Sequence, residues 1–141
     1  MTGTDDGEIR LLVVEDDGII AFDIVTRLEE LGYGDVSVAA TGADAIRQAE
    51  QVRPHLIFMD ITLKGDMDGI EAAEIIRDRF GIPIVYVTAH SDPSVRGRAM
   101  ATSPAGYVLK PYTTADLVCA IRCALRSLPS PGEIRADSLR R

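Results

Sequence analysis

Five residues able to do polar chemistry stand at equivalent places in the chain, each directly after a short apolar run. Glu15 and Asp16 follow IRLLVV, Asp60 follows HLIFM, Thr88 follows IVYV and Lys110 follows GYVL. Runs this short and this rich in branched residues read as strands. If they lie parallel in one sheet, three carboxylates, a hydroxyl and an ammonium arrive together at its carboxyl edge. Two unit charges about 4 Å apart repel by roughly 4 kcal/mol at an effective dielectric near 20, so convergent carboxylates call for a cation. Mg²⁺ suits them: it prefers oxygen ligands, keeps several waters and is commonly shared between one or two carboxylates and a phosphate. The Lys110 ammonium and the Thr88 hydroxyl can take phosphoryl oxygens. Together these groups describe a carboxylate that accepts a phosphoryl group.

The elements that must position them alternate along the chain. A further apolar run, DVSVAA up to Ala40, brings the strands to five, ending at Val14, Ala40, Met59, Val87 and Leu109. The first and third are almost continuously apolar, which suits a parallel sheet covered on both faces. Between strands, residues 18–31 carry Ala21, Ile24, Val25, Leu28 and Leu31 at helical spacing, with Gly32 placed for a left-handed C-terminal turn. A second helix begins at Thr41, which with Asp44 resembles a capping box, and ends before Pro54. The third starts near Asp68, carries Ile70, Ala73, Ile76 and Arg77, and stops around Gly81. The fourth opens at Asp92-Pro93, is weakened by Gly97 and ends before Pro104. The fifth begins at Thr113 or Thr114 and buries Leu117, Ile121, Ala124 and Leu128.

Strict alternation with short, right-handed crossovers implies a three-layer α/β/α sandwich, a (βα)5 unit. Its strand order, 2-1-3-4-5, is adopted from the flavodoxin-like class rather than deduced from spacing. In that order the first and third strands are neighbours, so Glu15, Asp16 and Asp60 meet at the point where the winding reverses.

The 141 residues fit one domain, expected over 9–128 after a short N-terminal extension (1–8). The tail from 129 to 141, PSPGEIRADSLRR, is expected to be mobile or a short added helix and not an effector domain. No apolar run approaches the roughly 20 residues of a membrane span and MTGTDDGEIR lacks a signal-peptide pattern, so a soluble, cytoplasmic protein is expected. The net charge of −7 argues against nucleic acid and for protein partners. Cys119 and Cys123, without a second pair or a neighbouring His to complete a zinc site, read as small buried thiols.

In order along the chain, VVEDD, LIFMD, DGIEAA, IVYVTAH and GYVLKPY resemble the receiver domains of two-component signalling, over residues 9–128 or so. The resemblance implies a receiver that is not a conventional enzyme, with Asp60 as the nucleophile toward phosphohistidine on a sensor histidine kinase or a histidine phosphotransfer protein. It further implies Mg²⁺, for which Mn²⁺ can substitute, bound directly by Asp16 and Asp60, through water by Glu15, and by the backbone carbonyl of Thr62. Lys110 would grip the phosphoryl group, Thr88 would swing toward it, and Tyr107 matches the aromatic that turns inward in the active state. Thr62 and His90 match positions flanking the phosphate that influence how fast water removes it; read alone, His90 is a solvated loop histidine titrating near neutral pH. The surface expected to change spans the fourth helix, fifth strand and fifth helix, where the family binds downstream targets or forms homodimers.

The chain departs from that pattern in ITLKGDMD, one residue longer than the commonest spacing and with Lys64 where proline usually stands. Lys64-Gly65 reads as a flexible surface turn. Asp17, Asp66 and Asp68 read as helix-capping residues rather than ligands, and Arg96 and Arg98 as solvated helix charges. Two other functions fit less well. A haloacid-dehalogenase-type phosphotransferase needs a second Asp two residues after the nucleophile, where Thr62 stands, and a docking receiver without phosphorylation has no need of the complete set Glu15, Asp16, Asp60, Thr88 and Lys110.

Overall fold

The computed structural model describes residues 8–89 and 92–126. Strands and helices alternate through them: β1 (Arg10–Val14), α1 (Gly18–Glu30), β2 (Asp35–Ala39), α2 (Gly42–Val52), β3 (Leu56–Met59), α3 (Gly69–Phe80), β4 (Ile84–Thr88), α4 (Pro93–Met100), β5 (Gly106–Leu109) and α5 (Thr114–Arg126). All strand pairings are parallel, in the order β2-β1-β3-β4-β5, the flavodoxin-like arrangement. Leu128, the tail and the first seven residues lie outside the described residues.

Side-chain alternation along the strands sorts the core into two layers. Leu12, Val14, Ile57, Met59, Ile84 and Tyr86 pack with buried residues of α2, α3 and α4. Leu11, Val13, Leu56, Phe58, Val85, Val87 and Val108 pack with α1 and α5. β3 and β4 are buried along their whole lengths, as central strands covered on both faces must be. In the first layer the Tyr86 hydroxyl lies 2.8 Å from Thr102 Oγ1, which itself donates to the Ala99 carbonyl at 2.6 Å. This ties the end of α4 to the sheet without leaving a buried hydroxyl unsatisfied.

Helix ends follow their local chemistry, with three departures from the sequence reading on the helices. Asp17 caps α1 by accepting from the amides of Ile19 and Ile20, and Asp68 and Glu71 form a reciprocal capping box on α3. At α2 only half of the expected box forms: Thr41 accepts from the Asp44 amide, while the Asp44 carboxylate is taken by Arg47 and Gln48. The reciprocal box appears instead at α5, between Thr113 and Asp116. Leu31 is exposed rather than part of the α1 stripe, because the helix ends at Glu30 and Gly32, at φ +103°, turns the chain. On α3, which runs through Ile70, Ala73, Ile76 and Arg77 as expected, Ala72 completes the buried stripe of Ile70, Ala73 and Ile76. Cys119 and Cys123 are exposed, not buried, since the inward face of α5 is filled by Leu117, Ala120, Ile121 and Ala124. A purely hydrophobic reading of cysteine does not say on which side of such a stripe it falls.

Candidate functional site

Register brings the polar residues together. Val14 of β1 pairs with Met59 of β3, and the Asp60 amide donates to the Val14 carbonyl at 3.0 Å, so the first and third strands release their acidic residues side by side. On the far side Thr88 pairs with Leu109, and the Lys110 amide donates to the Thr88 carbonyl at 2.8 Å. Carboxylate oxygens of Glu15, Asp16 and Asp60 lie within 4.8 Å of one another. Lys110 Nζ sits 3.0 Å from Glu15 Oε1 and 3.8 Å from Asp60 Oδ2. Glu15, Asp60 and Thr88 are buried, Asp16 half-buried.

The donor set fits a hard divalent cation, being three carboxylates that present oxygen only, with one ammonium against them. Titration of Glu15 and Asp60 in this crowded cluster is shifted in the same sense. Burial, with the charge of Asp60 adding to it, pushes the Glu15 carboxyl up to about 7 against the pull of Lys110. Burial also raises Asp60; Glu15 and Lys110 oppose the shift and Asp16 reinforces it.

A carboxyl raised in the folded state holds its proton more tightly there than in the unfolded chain. Its contribution to stability is therefore fully present below the ordinary Glu value of 4.5 and is lost as pH rises through about 7. In divalent-free buffer the melting temperature is expected to fall between about pH 5 and about pH 8. Added Mg²⁺ is expected to raise it more at the higher pH, because protons and the cation compete for the same oxygens. Calorimetry at the two pH values checks this; a Mg²⁺ effect independent of pH would contradict it.

The loop between Asp60 and α3 is more closely tied to the site than a free turn. Lys64 and Gly65 are exposed and Gly65 has φ +106°, as a surface turn requires, yet the Lys64 amide donates to Asp16 Oδ2 at 3.1 Å. The Thr62 amide donates to Asp60 Oδ1 at 3.3 Å, and the Thr62 side chain is exposed two residues beyond the acidic group. The Gly69 amide donates to the Ile61 carbonyl at 2.8 Å, with the start of α3 pressed against the Asp60 peptide. A glycine at the first turn of a helix, where alanine propagates better, was the available signal for that contact.

Of the remaining residues singled out by sequence, Tyr107 is half-buried in β5, its ring 6.1 Å from that of Tyr86. The Arg96 guanidinium stands 4.8 Å over the Tyr107 ring, and Arg98 pairs with the α3 cap Asp68 at 3.1 Å. Both arginines are exposed as expected, but each has a specific partner. Tyr107, Arg96, Asp116, Cys119 and Cys123 line a groove between β5 and α5. Asp66 is exposed and caps none of the helices described; His90 lies outside the described residues.

Comparison with known proteins agrees with this geometry. A family model described as the response regulator receiver domain matches residues 11–122. The transcriptional regulatory protein PdtaR of Mycobacterium tuberculosis is 36% identical over 116 residues, covering 82% of this chain and 56% of its own. The DNA-binding response regulator MtrA of Mycolicibacterium paratuberculosis is 32% identical over 117 residues, covering 83% of this chain and 51% of its own. The chain thus spans about half the length of these curated relatives. Among solved structures, the signal receiver domain of a modulated diguanylate cyclase from Desulfovibrio desulfuricans superposes with TM-score 0.78 at 33% identity, over 83% of this chain and 93% of that one. A CheY-like receiver domain protein from Methanospirillum hungatei gives 0.77 at 29% identity, over 84% and 94%. No helix among the described residues is long and apolar enough to cross a membrane. With its five-stranded parallel sheet and an acidic cluster at the sheet's switch point, the chain belongs to the response regulator receiver domain family of two-component signalling.

Proposed function

We propose that Asp60 accepts a phosphoryl group from a phosphohistidine and that the modified carboxyl reshapes the face made by α4, β5 and α5. The observation that carries this reading is the placement of Lys110 Nζ 3.8 Å from Asp60 Oδ2, in a cluster where Glu15 and Asp16 already crowd negative charge. An Asp60 oxygen attacks phosphorus, the phosphorus–nitrogen bond of the donor breaks, and its electron pair leaves with the histidine imidazole. The Lys110 ammonium faces the phosphoryl oxygens as charge builds on them. Mg²⁺, or Mn²⁺ in its place, held by Glu15, Asp16, Asp60 and the Thr62 carbonyl, would supply further positive charge to the same oxygens. Thr62, two residues after Asp60, and His90, two residues after Thr88 in sequence, are the positions assigned to modulating the rate at which water removes the phosphoryl group.

Strand alternation supports the coupling to the output face. Thr88 has the parity of Tyr86 on β4, and Tyr107 packs against the same core layer as Tyr86. Thr88 turning toward the phosphoryl group therefore vacates space on the side where Tyr107 and α4 lie. Two new charge-assisted hydrogen bonds, at about 1.5–3 kcal/mol each, approach the roughly 5.5 kcal/mol that reverses a 1:99 population. The donor is a sensor histidine kinase or a histidine phosphotransfer protein, and the responding face binds a downstream protein or a second copy of the chain. The DNA binding named for MtrA belongs to a chain about twice as long. This segment, at net charge −7, acts through protein contacts.

Incubation with acetyl phosphate and Mg²⁺ followed by intact mass measurement tests the reading. Wild type is expected to gain one phosphoryl group, removable by hydroxylamine and absent when EDTA is present, while Asp60→Asn gains none. Equal labelling of the Asn variant, or no labelling of the wild type, would overturn it.

A further inference from the structure

Beside the acidic edge, four side chains from α1, the β5–α5 loop and the start of α5 interlock. Tyr112, two residues past Lys110, donates its hydroxyl to Asp23 Oδ2 at 2.8 Å. The same oxygen accepts from Arg27 Nε at 3.0 Å, one helical turn along α1. Arg27 then reaches over the Tyr112 ring, 5.4 Å from its centroid, and donates through Nη1 to Thr114 Oγ1 at 2.7 Å. The body of Tyr112 packs against the core layer between the sheet and the α1–α5 side. Its hydroxyl is pushed upward by burial and by the bond to Asp23, and Asp23 is held low chiefly by that bond, so Tyr112 stays the donor and Asp23 the charged acceptor.

A lone exposed ion pair such as Asp23–Arg27 contributes little. This arrangement differs because it closes across segments 89 and 87 residues apart and anchors a partly buried aromatic ring against the core. It also stands next to the one ammonium in contact with the acidic cluster among the described residues. On one side Lys110 is pinned by its amide to the Thr88 carbonyl; on the other, the next anchored residue is Tyr112. A lysine reaches its target on a flexible four-carbon stem, so where Nζ spends its time depends on how firmly the backbone beneath is held.

We infer that Tyr112, Asp23, Arg27 and Thr114 form a clasp that positions Lys110 against Glu15 and Asp60, making Tyr112 and Asp23 positioning residues for phosphoryl transfer. The inference rests on the reading of Asp60 as the phosphoryl acceptor. It predicts that loosening the clasp costs rate through Lys110 and through nothing else.

The experiment measures the rate of adduct formation from acetyl phosphate in Mg²⁺ for wild type, Tyr112→Phe, Asp23→Asn, Lys110→Ala and the double variant Lys110→Ala/Tyr112→Phe. Each clasp variant is expected to slow labelling about 10-fold, the equivalent of roughly 1.4 kcal/mol in the barrier. The double variant is expected to be no slower than Lys110→Ala alone, since residues acting through one group are not additive. The Lys110 ammonium resonance, protected in wild type by its contact with Glu15, is expected to broaden in both clasp variants. Unchanged labelling and an unchanged resonance, or a double variant slower by the full product of the two effects, would overturn the clasp. If Tyr112→Phe does not fold, Asp23→Asn carries the test, since the Asp23 side chain is 48% exposed. If wild type takes no label, the acceptor reading falls, and the Lys110 resonance alone decides the clasp.

Discussion

Gly69→Ala is expected to destabilise the chain by more than about 3 kcal/mol, beyond the usual range for a single added methyl. A Cβ at this position would overlap the Asp60 carbonyl oxygen and lie 2.8 Å from the Asp60 carbonyl carbon and 2.9 Å from Ile61 Cα. All three are backbone atoms, so no side chain can rotate away. The chain must move the start of α3 or the peptide of Asp60, and the Gly69–Ile61 hydrogen bond at 2.8 Å opposes both. The same displacement moves the Asp60 carboxyl relative to Lys110, so loss of labelling should accompany loss of stability. Gly97→Ala is the control: nothing lies within 4 Å of the Cβ it would add, and in the middle of α4 it should stabilise by about 0.5–1 kcal/mol. Urea denaturation of both variants checks the pair, and a Gly69→Ala loss no larger than about 1 kcal/mol would refute the close approach.

The second large effect is expected from Lys110→Ala, and it depends on pH. Removing one partner from a buried ion pair costs about 3–5 kcal/mol because the other charge is left stranded. The Lys110 side chain is 18% exposed and that of Glu15 only 3%, so water can replace part of the ammonium but little reaches the carboxylate. The loss should be about 2–3 kcal/mol at about pH 8 in divalent-free buffer. At about pH 5 it should shrink below about 1 kcal/mol, because Glu15, already raised to about 7 with Lys110 in place, takes up a proton instead. Urea denaturation at the two pH values measures the difference. An equal loss at both would mean that Lys110 stabilises by packing rather than by charge.

How much of this was legible in the sequence depends on whether the information was local. Strand ends, the Asp17, Asp68 and Asp92 caps and the meeting of Glu15, Asp16 and Asp60 follow from apolar runs, turn chemistry and a fold class, each readable in a short window. Side-chain direction around α5 was not, and both cysteines came out on the opposite side from that expected. The unusual loop ITLKGDMD after Asp60 was visible, but that its Lys64 amide donates to Asp16, 48 positions earlier, was not. Tyr112 was likewise present in GYVLKPY without any sign that its hydroxyl belongs to Asp23 on the first helix. Those contacts exist only once β1, β3 and β5 end together at the carboxyl edge of a finished sheet.

The most direct measurement is to locate the label in the wild-type chain: borohydride reduction after acetyl phosphate and Mg²⁺ treatment, then fragment mass spectrometry. A phosphorylated aspartate is reduced to homoserine, so the residue that carried the phosphoryl group is marked permanently. Homoserine is expected at Asp60 and nowhere else. Homoserine at Asp16, at another carboxylate or at no position would contradict Asp60 as the acceptor.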